Sequence, residues 1–342
     1  MDTDLKKTTP LVSVVMPVYN ASSFIEESIN SILQQTFSDF EFIIINDAST
    51  DNSRNIISSY TDSRIRIIDN EQNLGVTRSL NKGIKLARGK YIARMDADDI
   101  ALSNRFEKQV AFLESNPDYG LVGAYMQLLP SGAVVRVPTT DEELKATMLF
   151  HNPFVHPAMM IRKSILVQHQ LTYDESLSAA QDEDLWFRIA QYCKIANIPE
   201  VLLKYRVHDQ QVSTARKTKQ QDISRQIKVR KIKHFMPIDS SLDLEFYQYW
   251  IVPDEIVAFD KPVQQKLKKW LTAIILYNKQ HQKVNHRLLR IQLANLIINY
   301  ASRLNKPFTM RQWLYLANLF FLIRRFPFHF LLSLFLDIFK RK

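Results

Sequence analysis

The first 216 residues predict an α/β domain with a mostly parallel central sheet flanked by helices, and the remainder predicts an all-helical region. Three observations carry this. Short apolar, β-branched runs alternate with amphipathic stretches up to about residue 130, while only helical periods follow residue 217. All six glycines lie before residue 133. Residues 1–216 carry a net charge of −5 and residues 217–342 one of +15. A length of 342 residues suits about two domains. The expected division is an N-terminal tail (1–10), an α/β domain (11–216) and a basic helical region (217–342) that ends in an apolar tail (311–342).

Leu11–Val18 (LVSVVMPV) has the apolar, branched character of a strand covered on both faces. Ser22-Ser23 opens a helix that runs through Gln35, with Phe24, Ile25, Ile29, Ile32 and Leu33 on its apolar side. Phe40–Ile45 is a second strand, 51–60 a helix and Arg64–Ile68 a third strand. Gly75–Arg88 is helical in period, with Gly89 as its stop. Lys90–Met95 is a fourth strand, Arg105–Glu114 a helix, and Tyr119–Leu129 is strand-like. Alternation at this spacing implies right-handed βαβ units.

In such sheets ligands sit beyond the carboxyl ends of the strands. Those ends read Pro17-Val18-Tyr19-Asn20, then Asn46-Asp47-Ala48-Ser49-Thr50-Asp51, then Asp96-Ala97-Asp98-Asp99. Three acids in four residues repel one another unless a hard cation or a capping role accommodates them. Mg²⁺ or Mn²⁺ is one reading of that cluster; a turn or helix start is the other. Asp47 is either a nucleobase or ribose acceptor or an Asx turn, and Asp51 reads as a helix cap. Asp182 in QDEDLW is either a general base or an N-terminal helix acid. Val201–Val207 is a strand that delivers His208, either a structural histidine or a third metal ligand. The proline-bracketed loop Asn152–Pro157 exposes His156.

Composition excludes several classes. A single cysteine, Cys193, excludes a disulfide scaffold and a multi-cysteine metal site, and fits a reducing compartment. With 46% apolar and 23% charged residues the chain can bury a core. No glycine-rich dinucleotide or P-loop fingerprint is present, so a bound nucleotide would be held by side chains and metal. No apolar run approaches ~18 residues, and the N-terminus has no secretory h-region. No zinc finger, RNA-recognition signature or basic zipper accompanies the positive charge, so nucleic acid is not an expected partner.

Taken together, VSVVMPVYN, FEFIIINDASTDNS, NLGVTRSLNKGIKLARGKYIARMDADDI, AQDEDLW and YRVHDQQVS resemble, in order and spacing, the family 2 glycosyltransferases. The resemblance covers about residues 11–214. It implies the Rossmann-like GT-A fold, a nucleotide-sugar donor (commonly a UDP-sugar), a divalent metal (Mn²⁺ or Mg²⁺) and inversion at the anomeric carbon. By that resemblance Pro17, Tyr19 and Asn20 line the base and ribose pocket, and Asp47 binds the base. Asp96, Ala97 and Asp98 form the D-x-D, with Asp98 the stronger metal ligand and Asp96 nearer the ribose. Asp182 is the catalytic base, His208 the late metal ligand and His156 a substrate-binding residue. Gln181 stands where the family often has Glu, which leaves the acceptor contacts of that position open. Rival readings are a sugar-1-phosphate nucleotidyltransferase, disfavoured by the absence of glycine in MPVYNASSF, and a membrane-associated scaffold with a degenerate transferase domain.

Within the second region, 219–235, 261–277 and 285–304 read as helices. In the tail, two apolar runs of about a dozen residues flank Arg324-Arg325 and Pro327, and Lys340-Arg341-Lys342 follows. Each run is too short to span a bilayer. The pattern fits an interfacial hairpin on an anionic inner leaflet, with a cytoplasmic catalytic domain and a glycan or lipid-linked glycan acceptor. The alternative is a packed helical subdomain or a homodimer element.

Overall fold

The computed structural model describes residues 9–208, 217–239, 241–251 and 260–303, with Tyr315 and Leu319. The chain divides into two compact units, one of residues 1–144 and 152–220, the other of residues 145–151 and 221–342.

The first unit is built on a nine-stranded sheet. Its strands are β1 (Val12–Val18), β2 (Phe40–Asn46), β3 (Ile65–Asp69), β4 (Tyr91–Arg94), β5 (Ile100–Ala101), β6 (Tyr119–Leu129), β7 (Val134–Val135), β8 (Met160–Arg162) and β9 (Lys194–Arg206). The order is β3-β2-β1-β4-β8-β6-β9-β5, with β7 on β6. Helices α1 (Ile25–Leu33), α2 (Ser53–Ser58), α3 (Val76–Leu86), α4 (Arg105–Ser115), α6 (Lys163–Gln168) and α7 (Gln181–Ile189) connect them. The unit boundary falls within α5 (Asp141–Met148). From β3 to β4 all pairings are parallel, as the alternation predicts. Beyond β4 the sheet is mixed: β8 runs antiparallel to β4 and β6, β6 and β9 are parallel, and β5 is antiparallel to β9. Three residues of β8 carry no readable period, so this reversal has no sequence signal.

β1 and β2 are almost wholly buried, as strands covered on both faces must be. The strand expected over 201–207 is the second half of the thirteen-residue β9, which ends at Arg206, not a separate strand. Gly89 acts differently from the expected helix stop. α3 ends at Leu86, and a Cβ on Gly89 would lie 2.6 Å from Ser13 N. Glycine is required there by the approach of β1's backbone, not by a left-handed cap.

α8 (Lys217–Phe235), whose first four residues belong to the first unit, and α9 (Leu244–Ile251), α10 (Lys261–His281) and α11 (His286–Arg303) of the second unit match the expected helical region. Asp260 caps α10 by accepting from Val263 N (3.0 Å). Leu267, Trp270, Leu271 and Ile274 form its buried stripe. Asn278 bonds both ways with the backbone of Val284 and closes the turn into α11. No helix among the described residues is long and apolar enough to cross a membrane. Apart from Tyr315 and Leu319, the apolar tail 311–342 lies outside the described residues.

Candidate active site

β2, β1 and β4 are neighbours in the sheet, so the loops leaving their carboxyl ends meet at one edge. They border a cleft of about 580 Å³ lined by Pro17, Tyr19, Asn20, Asp47, Asp96, Ala97, Asp98 and His208, among others. Asp182 and His156 are not part of its lining.

Asn20 follows β1 with φ +50°, a conformation that asparagine tolerates. Its Oδ1 accepts from Thr50 N (2.8 Å) and its own N–H donates to Ser49 Oγ (3.1 Å), so the first two loops are stitched together. Tyr19 beside it is half exposed at the rim. Asp51 accepts from Ser22 N and Ser53 N, both at 2.9 Å. Burial pushes its carboxyl up, but these serine hydrogen bonds outweigh it and hold the group at about 2. Asp51 is not the N-cap of α2, which is Asn52; its carboxylate ties the start of that helix to the loop after β1.

Asp47 is buried and does not form the local turn. Its Oδ1 accepts from Asn70 Nδ2 (2.7 Å) and Leu74 N (2.9 Å), and its Oδ2 from Gly75 N (2.8 Å). The carboxylate thereby fixes the loop before α3, where Gly75 has φ +85°. Oδ2 has room for one further donor from the cleft.

The acidic loop after β4 is held from two sides, by α1 and by the end of β9. Ser28 Oγ of α1 lies 2.9 Å from Ala97 O and 2.7 Å from Asp99 O. Arg206 at the end of β9 donates its backbone N–H to Asp99 Oδ1 (2.9 Å) and its Nε to Asp98 O (2.8 Å). That anchorage carries the chain on to His208, whose Nε2 is 3.0 Å from Asp98 Oδ2 and whose ring packs on Phe24. One carboxylate oxygen each from Asp96, Asp98 and Asp99 lies within 4.8 Å of the others. Asp99 Oδ2 is buried with no hydrogen-bond partner. Burial, reinforced by the charges of Asp96 and Asp98, pushes Asp99 well above the carboxylate range, and burial also raises Asp96. Hard oxygen donors beside an imidazole suit Mn²⁺ or Mg²⁺, so the donor set fits a divalent cation.

Sequence reasoning missed Arg94. Its guanidinium is buried in β4 and ion-paired with Asp96. Its charge acts on Asp96, Asp99, His156, Tyr173 and Asp182 alike. The available signal was a lone arginine in an otherwise apolar strand, two residues before the D-x-D. Arg105 is also wholly buried; it donates to Arg94 O (2.8 Å), and burial holds it down to about 9.

His156 sits in an aromatic nest instead of the cleft. Its Nε2 is 2.8 Å from Tyr173 OH, and its ring meets Trp186 edge-on. Burial, with Arg94 nearby, lowers it well below its ordinary value, so the ring is neutral at pH 7. Asp182 is the second residue of α7, after Ala180 with φ +51°. Its Oδ2 accepts from Asn152 Nδ2 (2.9 Å), and burial together with Glu183 raises its pKa. A raised, oriented carboxylate is better suited to take a proton than an ordinary one.

The parallel core with a metal-compatible acidic loop at its carboxyl edge defines a GT-A nucleotide-sugar-transferase architecture. The glycosyl transferase family 2 profile matches residues 13–167. An uncharacterized glycosyltransferase of Haemophilus influenzae is 36% identical over 241 residues, covering 66% of this chain and 75% of that protein. The putative glycosyltransferase EpsE of Bacillus subtilis is 37% identical, over 58% and 73% respectively. Among solved structures, S. aureus TarS 1–349 in complex with UDP aligns over 96% of this chain and 88% of its own at 18% identity, TM-score 0.55. The mannosyltransferase PcManGT from Pyrobaculum calidifontis, in complex with GDP-Man and Mn²⁺, aligns over 98% and 89% at 16% identity, TM-score 0.54. The chain belongs to glycosyltransferase family 2 and is a glycosyltransferase.

Proposed function

We propose that the chain is a metal-dependent inverting glycosyltransferase that moves a sugar from a nucleoside diphosphate, UDP first among candidates, to a hydroxyl of a glycan or lipid-linked glycan. The observation that carries this is the Asp96/Asp98/Asp99 loop, set against His208 at one wall of a cleft whose other wall is Tyr19, Asn20 and Asp47. Relatives of this fold hold UDP, UDP-GlcNAc or GDP-Man, which supports the donor class.

In this reading Tyr19 and Pro17 flank the base, and Asp47 Oδ2 accepts from it. Asp98 and His208 hold the cation, and Asp96, tethered by Arg94, faces the ribose. A bound Mn²⁺ or Mg²⁺ would supply Lewis-acid stabilisation of the departing diphosphate. Asp182, oriented by Asn152, takes the acceptor hydroxyl's proton. The oxygen's electron pair forms the new bond to the anomeric carbon, and the bond to the diphosphate oxygen breaks with its pair going to the nucleotide. His156, neutral and bonded to Tyr173, shapes the acceptor side. The test is a thermal-shift screen of nucleotide sugars with and without Mn²⁺, on wild type and Asp98→Asn. Donor stabilisation that needs Mn²⁺ and disappears in Asp98→Asn is expected; Mn²⁺-dependent turnover that survives in the variant refutes the assignment.

The sequence further supports a surface-polysaccharide role at the cytoplasmic membrane face, through the basic, aromatic tail 311–342. Full-length protein should co-sediment with anionic vesicles and do so less at high salt. Salt-independent or absent binding leaves the tail as a packing or homodimer element.

A further inference from the structure

A second groove, of about 740 Å³, adjoins the donor cleft. Arg78 and Glu175 line both. Its walls bring Lys82 and Lys85 of α3 together with Lys163 of α6, over an apolar strip that includes Leu166 and Val167.

Among the described residues none of the three lysines makes an ion pair. Lys82 Nζ donates to Asn70 Oδ1 (2.6 Å), and Lys163 Nζ donates to Ala87 O (2.6 Å). Both ammonium groups are therefore pinned by neutral acceptors, with no carboxylate bonded to either. Lys85 is exposed at the end of α3. Asp69 feels Lys82, but its Oδ1 is engaged by Arg54 (2.7 Å) and Asn46 (2.8 Å). Glu175, the one acid of the lining, pairs with Arg78 (3.2 Å) and accepts from Asn81 (3.0 Å). A solvated lysine face needs no pinned amines and no concavity. A cleft lined by one sign of charge focuses its field on an oppositely charged ligand.

The loop that walls the groove with Leu171, Thr172 and Glu175 turns Glu175, Leu177 and Ser178 toward the donor cleft, then enters α7 and Asp182. A chain lying in the groove would run along that loop toward the donor.

We propose that this groove binds the non-reacting part of the acceptor, and that the acceptor is a glycan bearing phosphate groups, which Lys82, Lys85 and Lys163 receive. The proposal rests on the glycosyl-transfer reading of the adjacent cleft and specifies its acceptor class.

The test uses the full chain and labelled phosphopentamannose as probe, followed by fluorescence anisotropy, with the UDP-induced thermal shift in Mn²⁺ measured in parallel. Lys85→Glu should weaken probe binding at least threefold, and the triple variant Lys82→Gln, Lys85→Gln, Lys163→Gln at least tenfold. The UDP shift should be unchanged in both, and phosphatase-treated pentamannose should not bind. Equal binding of the treated sugar, or wild-type probe affinity in Lys85→Glu and the triple variant, overturns the proposal. So does lysine-dependent binding to phosphatidylglycerol vesicles without binding of the probe, which would make the groove a membrane face. Loss of the UDP shift in the triple variant would mark a damaged fold, and Lys85→Glu alone then decides. Absence of a UDP shift in wild type refutes the donor-cleft reading instead, while the probe titration still judges the groove.

Discussion

Replacing Arg94 by methionine keeps length and apolar stem but removes the guanidinium ion-paired with Asp96. Arg94's side chain is 5% exposed and that of Asp96 27%. Breaking one partner of a buried ion pair costs about 3–5 kcal/mol because the other charge is stranded. Asp96 keeps a quarter of its surface in water, so the low end, about 3 kcal/mol, applies at neutral pH. At ~2–4 °C per kcal/mol for a unit of this size, the melting temperature should fall by roughly 6–12 °C. The pH dependence identifies the cause. Burial already raises Asp96 above the ordinary carboxylate value, and loss of Arg94 raises it further. A raised carboxyl withdraws stability as pH climbs from the unfolded value, near 4, through the folded one. The gap between wild type and variant should therefore be small near pH 4 and larger at pH 8, and Arg94→Lys should recover much of it. Urea denaturation at the two pH values reads this directly. An equal gap at both would show that Arg94 acts through packing alone.

Asp182→Asn should leave donor binding near wild type and lower turnover by roughly 10²-fold or more, the usual worth of a general base, checked by steady-state kinetics. Asp51→Ala should cost about 1.5 kcal/mol, the low end for hydrogen bonds to a charged group, by urea denaturation at pH 7. Its folded carboxyl stands at about 2 against 3.8, so this contribution is complete above the unfolded value and disappears as pH falls through 2. Gly89→Ala places a Cβ 2.6 Å from the Ser13 backbone nitrogen and should cost about 3 kcal/mol, at the upper end for overpacking, measured by the same denaturation.

The parallel half of the fold was legible because each of its strands carries its own signal. β1 and β2 are predominantly apolar, branched runs, and the polar residues directly after them are those that reach the cleft. The same logic found the D-x-D and, through the strand 201–207, His208. Illegible were features made by distant pairings. β8 has three residues, too few to show a period, yet it reverses the sheet's direction between β4 and β6. Asp47 is followed by a turn-forming run, which suggests a local turn, but its partners Asn70, Leu74 and Gly75 come from beyond β3. Ser28 and Ser31 of α1 carry no sequence signal for burial, yet both are buried: Ser28 lies against the acidic loop, and Ser31 Oγ accepts from Ala101 N (3.1 Å).

The placement of charge explains why the acidic loop can exist at all. Asp96, Asp98 and Asp99 cannot share 4.8 Å as three carboxylates without positive charge nearby. The fold supplies part of that charge from behind: Arg94 pairs with Asp96, and Arg105, one layer deeper, is wired to Arg94's carbonyl. Asp99 meets the rest by burial, which favours its protonated form. Asp98, turned to the cleft and facing His208, is the carboxylate with no buried guanidinium against it. Arg94 thus fixes Asp96, burial and the Arg206 backbone N–H fix Asp99, and Asp98 is left presented to the cleft, where an incoming divalent cation would complete the balance. Arg94 is in this sense the residue that assigns different tasks to chemically identical neighbours, and its position in β4 is what makes the strand end specific.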